Sequence, residues 1–138
     1  MFEAYRGVVH PWLCDIMQHM TTRHYVAMFD DASYHLGHEC GIKIDTENSK
    51  YGFVDVKHTI DYISELKAGD LVIIKCGINK IGNSSYISKY EMYNLDNMTL
   101  CATMEAVCVH FDLIERKSAR LTNDFRAKAE KYIIKQIS

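Results

Sequence analysis

One stretch constrains this chain more than any other. From Thr22 to about Cys40, apolar side chains fall at Tyr25, Met28, Phe29, Ala32 and Leu36. That i, i+3, i+4, i+7 spacing lays them along one face of an α-helix and leaves the other face polar. Thr21 or Thr22 is placed to supply an N-cap oxygen, and Gly41 stands where a C′ glycine ends a helix. A helix with one apolar face cannot bury it alone, so the remainder of the chain has to cover it.

The remainder reads as strands. Val54, Val56, His58 and Ile60 alternate with Asp55, Lys57, Thr59 and Asp61, which predicts a strand with the first set facing inward. Leu71 to Ile81 is rich in β-branched residues and follows a Lys67-Ala68-Gly69-Asp70 turn. Gly82-Asn83-Ser84 turns the chain into Tyr86 to Tyr93, and Leu95-Asp96-Asn97 turns it again into Leu100 to Phe111. Short connections between alternating runs predict an antiparallel meander of four strands. Phe2 to His10 suits a further strand ending near Pro11, and Phe125, Ala129, Tyr132 and Ile133 suit a short closing helix. The expected class is α+β, a sheet wrapped around one long helix, and 138 residues suit a single domain over 1–138.

Composition removes several function classes. Sixteen Lys+Arg against eighteen Asp+Glu give a net charge of -2, without the basic excess of a nucleic-acid-binding domain. The apolar runs are too short for a membrane span. The first residues carry Glu3 and lack an apolar core, so no secretory signal is expected. Cys14, Cys40, Cys76, Cys101 and Cys108 are odd in number and form no CxxC, which fits reduced thiols in a cytoplasmic protein.

Residues 12 to 32 carry the most specific signal: Asp15, His19-Met20, Tyr25 and Phe29-Asp30-Asp31-Ala32 stand in one order and spacing. This resembles the hotdog-fold acyl-CoA thioesterases, in the 4-hydroxybenzoyl-CoA thioesterase-like branch. His58 to Asp70, with its Ala-Gly-Asp turn, is similar to the family's second strand. Cys101 to Glu105, His110-Phe111-Asp112 and the segment to Arg120 are similar to its last strand and exit. The resemblance spans roughly residues 5 to 122. Two positions depart from it: Gln18 replaces the glycine usual before His-Met, and Thr22-Arg23-His24 replaces a stretch that often holds asparagine.

The resemblance implies a catalytic role for Asp15, as nucleophile or general base in thioester hydrolysis. Read alone, Asp15 is equally a loop carboxylate or a cap at a helix entry. Spacing against the family places the oxyanion donor at the backbone N–H of Thr22, in the first helical turn, where side-chain identity matters little. His19 and His58 are polar residues expected near the site, to bond the carbonyl, position water or orient Asp15, or simply to serve as structural histidines. Tyr25 suits the wall of an acyl pocket better than a catalytic phenol. Arg116 and Lys117, with Arg120, form the one basic cluster that could pair coenzyme A phosphates, or else a solvated loop.

His35, His38 and Cys40 do not make a convincing ligand set, so no metal is expected, and coenzyme A enters only as part of the substrate. Asp30 and Asp31, adjacent on the helix, must point to different sides. The family implies a homodimer or homotetramer, with sheets joined edge to edge and sites at the subunit interface. The leading expectation is an acyl-CoA thioesterase. The rivals are a dehydratase or hydratase of the same fold and a non-catalytic acyl-thioester binding protein.

Overall fold

The computed structural model describes residues 1–43, 47 and 49–135. Helix α1 runs Thr22–Glu39 and buries Tyr25, Met28, Phe29, Ala32 and Leu36, the face read from the spacing. Gly41, at φ +79°, takes the left-handed conformation that ends it. Thr21 is the N-cap residue, but its side chain makes no capping hydrogen bond, contrary to the cap expected from the sequence.

Six strands form one antiparallel sheet: β1 (Phe2–Val8), β2 (Tyr51–Tyr62), β3 (Leu71–Ile81), β4 (Ser85–Asn94), β5 (Leu100–Asp112) and the short β6 (Lys117–Ser118). Their order is β1-β3-β4-β5-β2, with β6 pairing the end of β5. The strand boundaries agree with the alternation, and β3, β4 and β5 form the expected meander. β2 does not join it. Instead of making a hairpin with β3, it lies at the far edge beside β5. Alternation reports which face a residue takes, not which strand becomes its neighbour. Three strand spacings separate β2 from β3, about 14 Å. The eight residues from 63 to 70 cover that span across the end of the sheet. Leu66, fully buried, anchors this crossing, and its carbonyl accepts the Met20 N–H at 2.8 Å.

α1 packs over β1 and β3. Phe29 and Leu36 meet Val72, Ile74, Cys76 and Ile78 of β3 and Tyr90 and Met92 of β4 in one core. Helix α2 (Asn123–Ala129) is capped by Thr122 Oγ1, which accepts the Phe125 N–H at 3.1 Å. The expected closing helix is therefore present but shorter than its apolar pattern. Tyr132 lies in a final 3₁₀ turn, and Ile133 has left the helix to bridge Ile78 in parallel.

Candidate active site

The start of α1 is held beside a tight turn. Cys14 and Met20 form an antiparallel bridge, and the Thr21 N–H donates to Leu13 O at 2.9 Å. Between them Asp15 opens a turn in which Gln18 N–H donates to Asp15 O at 2.9 Å. Gln18 sits at φ +65°, so the position where the family usually has glycine keeps a glycine-like backbone. Asp15 is exposed, and its Oδ1 accepts the Met17 N–H at 2.8 Å. His19 follows, with Nε2 3.0 Å from Glu65 Oε2. Asp15, His19 and the uncapped first turn of α1 thus share one end of the molecule.

Tyr25, one turn into α1, is buried and meets the Tyr62 ring edge-on at 5.1 Å. Burial pushes its phenol up to about 12, against a backbone hydrogen bond from Leu66 that lowers it. Its ring is part of the buried core at this end of α1.

β2 departs from simple alternation. Asp55 pairs with Cys108 and Lys57 with Val107, so Val56 is an unpaired bulge residue. Each side of the bulge keeps its own phase. Phe53 and Asp55 on one side, and His58, Ile60 and Tyr62 on the other, oppose the inward residues of β5. Val54 opposes Val109 on the outer face, and Val56 is 60 % exposed. The expectation that Val54 and Val56 face inward with His58 is therefore wrong for the two valines and right for the histidine. Asp55, expected outward, joins His58 instead: its Oδ2 lies 2.9 Å from His58 Nε2. The sequence carried no signal for that pair, because at i, i+3 a regular strand places them on opposite faces.

A cavity of about 670 Å³ opens between α1, the start of β2 and the strands behind it. Asp30 and Tyr34 border it from α1, Asp55 and Tyr51 from β2, and Ser88 and Tyr90 from β4. Partial burial raises the Asp30 carboxyl above its ordinary value, Asp55 and Asp31 add to the rise, and His58 opposes it. Asp31 points the other way, close enough to Tyr5 of β1 to help raise that phenol, after burial. The two aspartates do diverge. His38 and Cys40 also border the cavity, and among the described residues no three His, Cys, Asp or Glu side chains converge as metal ligands.

The basic cluster lies elsewhere. Arg116, at φ +59°, stacks its guanidinium over the Phe111 ring at 5.2 Å, and Lys117 pairs with Glu115 at 2.9 Å. His110 Nδ1 donates to the Arg120 carbonyl at 3.0 Å. These residues follow the Asp112 end of β5, whereas Ala102, beside Tyr62, marks the end near the Asp15 turn. Ten residues of strand separate the two ends, about 33 Å. Within one chain, Asp15, His19, Thr22, Tyr25 and Tyr62 come together, His58 stands midway along β2, and Arg116 and Lys117 are remote.

Comparison with solved structures returns the same fold. Slr0204, a 1,4-dihydroxy-2-naphthoyl-CoA thioesterase from Synechocystis, superposes with a TM-score of 0.81 at 17% identity, over 91% of this chain and 93% of that one. The hypothetical protein SAV2348 from Staphylococcus aureus, solved in complex with CoA, gives 0.88 at 18% identity, over 99% and 89%. The PA5185 protein from Pseudomonas aeruginosa gives 0.84 at 16% identity, over 96% and 92%. The antiparallel sheet with its helices is consistent with the hotdog fold. A search of curated protein sequences gives no match. The family model of the thioesterase-like superfamily matches residues 9–129, a span holding the Asp15 turn, α1 and all of β2 to β5. By that match the chain belongs to the thioesterase-like superfamily, as an enzyme of the thioester-hydrolase class.

Proposed function

We propose that this protein hydrolyses an acyl-CoA thioester to the free acid and coenzyme A, with Asp15 as the reacting carboxylate. The observation that carries the reading is the uncapped first turn of α1 held beside the Asp15 turn. Thr21 leaves the leading N–H groups to a ligand, and the Thr22 N–H is the donor assigned to the oxyanion that forms as the carbonyl is attacked. Asp15 acts in one of two ways. As nucleophile, its oxygen adds to the carbonyl, the C–S bond breaks and the thiolate leaves; water then cleaves the mixed anhydride. As general base, it takes a proton from the water that adds directly. Both routes consume one water and release one acid and one thiol.

The acyl group is assigned to the cleft between α1, serving as the central helix, and β2. His19 is assigned to the carbonyl or the water, and Tyr25 to the wall. The free edge of β2 pairs with a second copy in this reading, giving a homodimer or a pair of such dimers. Antiparallel edge pairing inverts the strand. It would carry the partner's basic loop toward this chain's Asp15 end, which gives Arg116 and Lys117 a role on the phosphates of coenzyme A. Val54, Val56, Trp12 and Ile16 are exposed apolar groups that such a pairing would cover.

The test is thiol release from a panel of short, long, aromatic and polar acyl-CoAs, with wild type and Asp15→Asn. Wild-type turnover that falls about 100-fold or more in the variant supports the assignment. Equal turnover removes Asp15 from the chemistry. Binding without turnover supports the non-catalytic reading. A second enzymatic reading, as a dehydratase or hydratase, is favoured by the His58–Asp55 pair on β2. It predicts loss or gain of enoyl-thioester absorbance without thiol release.

A further inference from the structure

The two edges of the sheet are finished differently. β2 ends one of them and offers the exposed Val54 and Val56 at its bulge. On the other edge β1 pairs β3 only from Leu71 to Cys76, which lies opposite Phe2, and β3 runs on to Ile81. β1 itself discourages a further neighbour: its register shifts between Glu3 and Tyr5, and Arg6 pairs with Glu3 at the surface. β3 past Cys76 gains no such protection from β1. Bare backbone N–H and C=O groups there would invite any extended chain.

Segment 130–135 takes that place. Ile133 bridges Ile78 in parallel, and the Ile134 N–H donates to Ile78 O at 2.8 Å. The segment crosses β3 directly over Gly77. A Cβ on Gly77 would lie 2.7 Å from Ile134 Cγ1 and 3.0 Å from the Tyr132 carbonyl oxygen, so a side chain there would push the segment off. Tyr132 fixes the segment to two further elements. Its hydroxyl donates to Glu39 Oε2 at 2.6 Å, at the end of α1, and its ring meets Phe2 of β1 at 5.2 Å. Ile133 stays exposed, so backbone pairing places the segment here more than apolar burial does.

We propose that segment 130–135 is an edge guard: it fills the strand-acceptor edge of β3 at Gly77 and Ile78 and so confines association with a second copy to the β2 edge. Pairing through β2 rests on the reading given above; the guarding of β3 does not.

Two variants test it. A chain ending at Ala129 keeps α2 whole and loses the guard. Ile134→Pro removes the one N–H that donates to Ile78 and leaves the sheet's own residues untouched. Ile133, at φ -63° and ψ 129°, already holds a backbone that accepts a following proline. Both variants and wild type are followed by sedimentation over a concentration series, each checked for a cooperative melting transition. Wild type is expected to reach a limiting mass. The variants should exceed it by about twofold or more and keep rising, because two open edges form no closed assembly. A synthetic peptide of residues 130–135, added in excess, should return them to the wild-type mass by refilling the edge.

Masses equal to wild type in both variants, or an enlarged mass that the peptide leaves unchanged, would overturn the proposal. If the shortened chain does not melt cooperatively, Ile134→Pro decides alone. A monomeric wild type would remove the β2 pairing; the guard then stands if the variants form dimers that the peptide dissolves, and falls if they stay monomeric.

Discussion

β2 and β3 are nearly equal in length, twelve and eleven residues, and both are rich in apolar side chains, yet they are treated in opposite ways. In β3, Val72, Ile74, Cys76 and Ile78 are fully buried. In β2, Val54 and Val56 are exposed and no residue is fully buried. The difference is in what surrounds them. β3 has β1 on one side, β4 on the other and α1 across its face, whereas among the described residues β2 pairs with β5 alone. One half of the sheet is closed and supplies the stability. The other half is open, with a cleft on one face and a free edge, and carries the groups available for chemistry.

The largest expected effect breaks the closed half. Phe29→Ala removes a fully buried ring between α1 and the sheet, and should cost about 3–5 kcal/mol in denaturant unfolding. A cost near that of a surface substitution would mean that α1 is not the keystone of the core.

Alkaline pH probes burial on both sides of the comparison through titration. Burial holds the thiols of Cys76 and Cys108 at about 12, against an ordinary 9.0, and the Tyr25 phenol at about 12. These groups ionise earlier in the unfolded chain than in the folded one. Stability is therefore intact below about pH 9 and falls as pH rises toward 12, by about 1.4 kcal/mol per pH unit for each group in its window. Unfolding midpoints at pH 8 and pH 10.5 check this, and a flat profile would contradict the burial of these groups.

Smaller effects belong to the open half. Gln18→Gly relieves a left-handed backbone and should stabilise by roughly 0.5–1 kcal/mol. A loss of stability instead would show that the glutamine side chain holds the turn. Val56→Lys places a charge at a 60 % exposed position and should shift folding by less than about 0.5 kcal/mol. In sedimentation the same change should move an assembled wild type toward monomer. An unaltered mass would argue against pairing through this edge.

Much of the fold could be read in advance. Five side chains at helical spacing placed α1, because a single buried face imposes one period along 18 residues. The meander of β3 to β5 followed from short turns. The position of β2 was not legible, since the crossing at 63–70 reads as a turn and only its buried Leu66 reveals the path. Within the site, Asp15, His19, Thr22 and Tyr25 are close in sequence, and local turns bring them together. Asp55 was missed because a one-residue bulge reverses the face assigned by alternation, and the remoteness of Arg116 depends on strand length and direction. The Thr21 cap failed for a related reason: residue type permits a cap, but the rotamer and the approach of the preceding turn decide whether it forms.

The bulge at Val56 has an evolutionary consequence. It works like a change of reading frame within β2: the extra residue is looped out, and pairing continues as if it were absent. Removing Val56 would leave Asp55 opposite Cys108 and Lys57 opposite Val107 in an unbroken ladder, with Tyr51, Phe53, Asp55 and His58 all on the faces they now hold. Only the local kink and added twist of the strand would go. In this scaffold a single-codon deletion at the bulge spares the cleft, while one at Val54 would turn Tyr51 and Phe53 to the outer face and change its border. Diversity among descendants of this chain should therefore be sought in the length of β2 as much as in its composition.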